Sequence, residues 1–160
     1  MTGTQETPPN ASPAIGNAVI HIDTVTQHVY GFVRWTGLIG GAPTGSHIHV
    51  GIPGTAGDVI YNYGVASLVS DGIYKRKDFD LLMVNKTQAN SGGTGFNGVL
   101  QTPTQQIANW FLTNHTYVNV HNASFPGGEI RGQLTAVPEP GTMAALALGA
   151  VALLRRRRTR

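Results

Sequence analysis

Twenty-one glycines and nine prolines cut this 160-residue chain into short runs. Between the interruptions stand Val, Ile, Thr, Tyr and Phe, whose branched or aromatic side chains suit a pleated, half-buried surface. Runs of that kind, bounded by Gly, Pro, Asn and Ser, predict short strands joined by turns. The length suffices for one domain with its own core, and the texture is too apolar for a disordered chain. The absence of cysteine excludes disulfides and thiolate metal sites.

Residues 1–14 are polar and carry Pro8, Pro9 and Pro13, which predicts an extended entry segment. Strands are expected over 18–23 and 29–35, joined as a hairpin, then over 46–51 and 59–61, with a glycine-rich turn over 37–45. A further strand is read over 79–84 and a loop over 90–95. A helix over 105–112 is expected, with Thr104 as its cap and Ile107, Trp110 and Phe111 on one face. Strands over 117–121 and 129–134 follow, separated by the turn Phe125-Pro126-Gly127-Gly128. The sum is a mostly β domain over 15–136, an antiparallel sandwich or barrel with one short helix. Val118, Val120, Ile130 and Leu134 should point inward, with Trp110 packed on them.

Charge is unevenly spread. Arg155, Arg156, Arg157, Arg158 and Arg160 crowd the last positions, whereas the stretch before Val137 holds six basic residues against seven acidic ones. The body therefore has no basic field to steer nucleic acid. Lys75-Arg76-Lys77, followed by Asp78 and Asp80, reads as a solvated loop.

Residues 137–160 form a separate tail of three chemistries. Val137-Pro138-Glu139-Pro140 comes first, and its prolines bar helix and sheet hydrogen bonding. An uncharged, Ala- and Leu-rich run from 142 to 154 predicts an apolar helix. Arg155, Arg156, Arg157 and Arg158 then act as a membrane stop on the cytoplasmic side. The run is shorter than the roughly 20 residues of a full span; thinning and snorkelling arginines close the gap. This order resembles the PEP-CTERM sorting signal, which implies processing by an exosortase, a transient inner-membrane anchor, and export to the envelope or beyond. Such export also calls for an N-terminal secretory signal. Met1-Thr2-Gly3-Thr4-Gln5 has neither a basic region nor an apolar run, so export is read from the tail alone.

The body has its own resemblance. Gln5-Glu6-Thr7-Pro8-Pro9, His47-Ile48-His49-Val50-Gly51, and the stretch from Tyr117 through Phe125-Pro126-Gly127-Gly128-Glu129-Ile130-Arg131-Gly132-Gln133-Leu134 look like a CHRD domain. The resemblance implies an immunoglobulin-like β fold with limited similarity to Cu/Zn superoxide dismutase. It implies no general activity.

Strand parity sorts the histidines. His47 and His49 share one face of their strand, while Ile48 and Val50 take the other. Tyr117, Asn119 and His121 likewise lie opposite Val118 and Val120. Were the two strands neighbours, His47, His49 and His121 would converge outside the wall of the barrel as a three-nitrogen metal site. The superoxide dismutase resemblance implies copper on these three residues and an anion-guiding role for Arg131. Against it, no histidine stands between Val50 and Asn114 to supply a bridging ligand or a zinc cluster. His115 is about 20 Å along an extended strand from His121 and is a poor fourth ligand. Structural hydrogen bonding by the same imidazoles is the competing reading. His21 and His28 flank the first turn and are expected to face solvent, and Glu129 with Arg131 reads as a cross-strand surface pair. The expected function is a non-catalytic module in the envelope or extracellular matrix, binding protein or polysaccharide. The alternative is a copper-binding, dismutase-like redox protein.

Overall fold

The computed structural model describes residues 1–23, 25–26, 28–64, 72–80 and 103–137, with Gly141, Leu148 and Gly149. Alternating burial marks the first strand of the opening hairpin. Strand β1 (Ile15–Asp23) alternates exposed and half-buried side chains along its whole length. It pairs antiparallel with β2 (His28–Thr36), Ile15 opposite Thr36 and Asp23 opposite His28. The Asp23 carboxylate accepts the backbone N–H groups of Val25 at 2.8 Å and Thr26 at 2.9 Å, which fixes the turn.

The second sheet runs in the order β4 (Val59–Gly64), β3 (Pro43–Val50), β6 (Thr116–Asn122), β7 (Ile130–Gln133), all neighbours antiparallel. Strand β5 (Gly72–Asp80) flanks β2 and, among the described residues, is the edge of the first sheet. Lys75-Arg76-Lys77 therefore lies in a strand and not in a loop. Charged residues are what an edge strand tolerates, since they discourage pairing with another chain. The strand expected over 79–84 meets β5 only at Phe79 and Asp80, and residues 81–84 fall outside the described residues, as does the loop expected over 90–95.

Helix α1 (Pro103–Leu112) starts before the expected cap, with Thr104 inside it. Pro103 suits the first helical position, where its missing N–H has no partner to lose. At the other end Asn114 adopts φ 61°, and the His115 N–H bonds the Trp110 carbonyl at 2.9 Å, a left-handed stop.

Both sheets and the helix feed one core. Val29, Val33 and Trp35 from the first sheet meet Ile48, Ile60, Val118, Val120 and Ile130 from the second, with Ile107, Trp110 and Phe111 from α1. Leu134 is half-buried against the same cluster. Among the described residues the result is an antiparallel β-sandwich with one short α-helix. Thr2 closes one seam by pairing with Ile15 and with Arg131. The entry segment is thus not wholly extended, since Gly3–Gln5 make a 3₁₀ turn.

Strand β6 departs from simple alternation. It is buried on both faces, every residue except the half-buried His121. The outward side chains are roofed by loops: Asn10 reaches the carbonyls of Gly128 and Glu129, and Ile52 and Thr55 reach Arg131. What strand parity marks as the outside of the wall is a second, polar interior. Among the described residues no helix is long and apolar enough to cross a membrane. Apart from Leu148 and Gly149, the helix expected over 142–154 lies outside them.

Candidate metal centre

The register of β3 against β6 assembles the site. His47 stands opposite Asn119, His49 opposite Tyr117 and Gly45 opposite His121. Residues diagonal across an antiparallel pair lie within reach of long side chains, so His47 meets His121. Their ring centroids are 4.8 Å apart. His47 and His49 are separated by 5.6 Å, and His49 and His121 by 6.1 Å. Ligand atoms from the three imidazoles lie within 4.8 Å of one another. Gly45 eases this approach, because a Cβ there would stand 3.2 Å from the His47 ring.

Backbone carbonyls set the tautomers. His49 Nδ1 is 2.8 Å from the Gly57 carbonyl, and His121 Nδ1 is 2.9 Å from that of Pro126. A carbonyl only accepts, so both Nδ1 atoms carry the proton and both Nε2 atoms hold a lone pair. His49 Nε2 and His47 Nδ1 are buried without a hydrogen-bond partner. Orphaned buried nitrogens are costly unless each finds a partner.

The site favours neutral imidazoles. Burial pushes His47 down to about 4, helped by His121 and His49 beside it. Burial also lowers His49 and His121, opposed in each by its carbonyl bond. These are lone-pair donors at neutral pH.

Arg131 does not reach the mouth of this cluster as a free cation. It is 1 % exposed. Its guanidinium donates to Thr7 Oγ1, the Thr55 and Ile52 carbonyls, and Gln133 Oε1, at 2.7–3.3 Å. It also lies 3.4 Å above the Tyr117 ring, which is itself stacked on His49 at 4.7 Å. Arg131 is a clamp that fastens the 51–58 loop and the entry segment over the tyrosine.

Glu129 is not a surface partner of Arg131 either. It is fully buried. Its carboxylate accepts from Ser12 Oγ at 2.6 Å, Ile39 N at 2.8 Å, Gly40 N at 3.2 Å and the Asn122 amide, tying three loops together. His21 is exposed as expected and stacks on Tyr30 at 4.8 Å. The side chain of His28 falls outside the described residues. His115 bonds Thr113 and takes no part in the cluster.

Sequence reading missed Asn119, Tyr117, Gly45 and Glu6. Parity offers a signal for the first two, which share the His121 face. Glu6 is 6 % exposed with Oε1 unpartnered, and burial raises its carboxyl to about 7 against the pull of Arg131. The folded state therefore holds a proton that the unfolded chain releases from about pH 4.5 upward, so Glu6 costs stability as pH rises from 4.5 to 7. Glu6→Gln is expected to raise the melting temperature at pH 8 and leave it nearly unchanged at pH 4, as read by thermal denaturation.

The molecule is thus an antiparallel β-sandwich with a half-buried histidine cluster beneath its loops. Residues 1–134 match the CHRD domain and residues 136–158 match the PEP-CTERM protein-sorting motif. The chain belongs to the CHRD domain family. No curated protein and no solved structure matches it. The sorting motif makes it an exported protein, handled by an exosortase, held briefly in the membrane and then delivered to the envelope or exterior.

Proposed function

We propose that residues 15–136 form a non-catalytic binding module of the envelope or matrix, which holds one transition-metal ion on His47, His49 and His121, and that 137–160 is a disposable tail. One observation carries the metal reading: two buried imidazole nitrogens without partners in a cluster whose ligand atoms lie within 4.8 Å. Imidazole-only sites suit Cu(II) or Zn(II), and intrinsic affinity favours copper. An oxidising exterior keeps copper divalent. The engagement of Arg131 by four acceptors and a tyrosine ring supports binding over dismutation, which needs a mobile cation to guide its anion.

The test is copper and zinc titration of the full chain by calorimetry. His121→Ala is expected to weaken Cu(II) binding by about 100-fold or more, since loss of even an outer partner of a ligand costs 10–100-fold. His21→Ala should leave it unchanged. Equal affinities for the two variants, or no binding by the wild type, would remove the site.

Protons compete with the metal for the same lone pairs. A lowered imidazole pKa means that the proton loses this competition until the pH falls well under 6.5. With His47 at about 4, copper should stay bound at pH 6 and leave as the pH approaches 4. Release centred near pH 6.5, followed by a copper-sensitive dye, would show imidazoles open to water instead.

A further inference from the structure

We propose that Asn119 supplies the fourth donor of this site through its side-chain oxygen, giving three nitrogens and one oxygen; the inference rests on the metal reading above. Asn119 Oδ1 lies 2.9 Å from His121 Nε2. His121 already spends its ring proton on the Pro126 carbonyl. In the neutral ring Nε2 is then a bare lone pair, and an amide oxygen is also only an acceptor. Two acceptors at hydrogen-bond distance repel unless positive charge lies between or beside them.

A second proton on the ring would place a positive charge whose hydrogen-bond partners, the Pro126 carbonyl and the Asn119 amide oxygen, include no carboxylate. Turning the amide would set its oxygen against the Gly127 carbonyl, to which Asn119 Nδ2 now donates at 3.5 Å. Gly128, at φ 125°, leaves room for the same amide, because a Cβ there would stand 2.9 Å from Nδ2. With Nδ2 on the Gly127 carbonyl, the amide turns its oxygen toward His121. It is 2 % exposed, so water does not relieve the conflict cheaply.

A metal ion does relieve it. Donors about 2.0–2.1 Å from one ion, at angles of about 90–110°, stand roughly 2.9–3.4 Å from each other. The observed 2.9 Å fits that separation. The Asn119 side chain lies close to His49 as well. Its position opposite His47 in the register completes the set.

The experiment titrates Cu(II) into the folded full chain, wild type, Asn119→Ala and Asn119→Asp, with electron paramagnetic resonance of each copper-loaded form. Circular dichroism checks the fold. Asn119→Ala is expected to lose about 10–100-fold in affinity and to change its copper hyperfine splitting. Asn119→Asp should bind at least as tightly as wild type with a shifted spectrum, because a carboxylate oxygen replaces the amide oxygen. Wild-type affinity and spectrum in Asn119→Ala would overturn the proposal. Tighter binding in that variant would overturn it too, by showing an amide that caps His121 Nε2. Should Asn119→Ala not fold, a wild-type spectrum in Asn119→Asp decides against it. A wild type that binds no copper fails the metal reading itself, a result distinct from these.

Discussion

Val120→Asp is expected to leave the domain unfolded at room temperature. Val120 is fully buried in β6, an interior strand of its sheet, opposite Ser46 on one side and Ile130 on the other. Its side chain belongs to the core cluster that also holds Ile48, Val118, Ile130 and the helix residues Ile107 and Trp110. None of these can pair with a carboxylate. An uncompensated buried charge costs about 3–5 kcal/mol, and the lost apolar contacts add to it. Small domains hold only about 5–15 kcal/mol in total. Circular dichroism should show loss of the β signal and no cooperative melt. Val120→Ala should keep the fold at a cost of about 2 kcal/mol. Val19→Asp, on the exposed face of β1 at 39 % exposure, should change stability by less than about 1 kcal/mol. Equal tolerance at positions 19 and 120 would reverse the strand parity on which the histidine cluster stands.

Much of the sandwich was legible because its strands are amphipathic in one dimension. Over His47–Val50 of β3 and Val118–His121 of β6 apolar and polar residues alternate, and that period names the inner face before any coordinates exist. Val118, Val120 and Ile130 are inside as their parity requires, with Trp110 against them. Strand β5 was hidden for the opposite reason. Its Lys-Arg-Lys-Asp run carries little alternation, and an edge position makes that composition acceptable. The start of α1 moved because Pro103 can open a helix as well as precede one.

The site was legible only as far as parity goes. His47, His49 and His121 share one face, and the sequence alone says so. What it does not say is that loops fold back over that face. A strand reading treats the side opposite the core as solvent, yet Asn119 is 2 % exposed and Arg131 1 % exposed. The roof depends on contacts far apart in sequence, such as Ser12 to Glu129 and Thr7 to Arg131. Those contacts turn Arg131 from an expected anion guide into a clamp, and Glu129 from a surface carboxylate into a buried knot. Asn119 escaped notice because its chemistry needs the Pro126 and Gly127 carbonyls, whose direction no residue spacing reveals.

The secreted form is expected to end near Pro140 and to lack the arginine cluster altogether. The apolar run over 142–154 is about 20 Å long as a helix, against roughly 30 Å of hydrocarbon. Such a segment is a weak anchor by length alone. Arg155, Arg156, Arg157 and Arg158 make up the difference. Dragging one arginine through the bilayer centre costs about 2.5–3.5 kcal/mol on insertion scales, so four together bar passage by roughly 10 kcal/mol. The chain stalls with its arginines inside and Val137-Pro138-Glu139-Pro140 just beyond the far surface. Two prolines there keep the backbone out of helix and sheet, which leaves it open to a processing enzyme. Replacing Pro138, Glu139 and Pro140 together by alanine removes that opening and lets the helix extend toward the domain. In a host with an exosortase, nearly all of the variant should remain in the membrane fraction while the wild type leaves it. Mass spectrometry of the exported wild type decides the matter: a C-terminus near Pro140 supports cleavage at the motif, and an intact Arg160 rules it out.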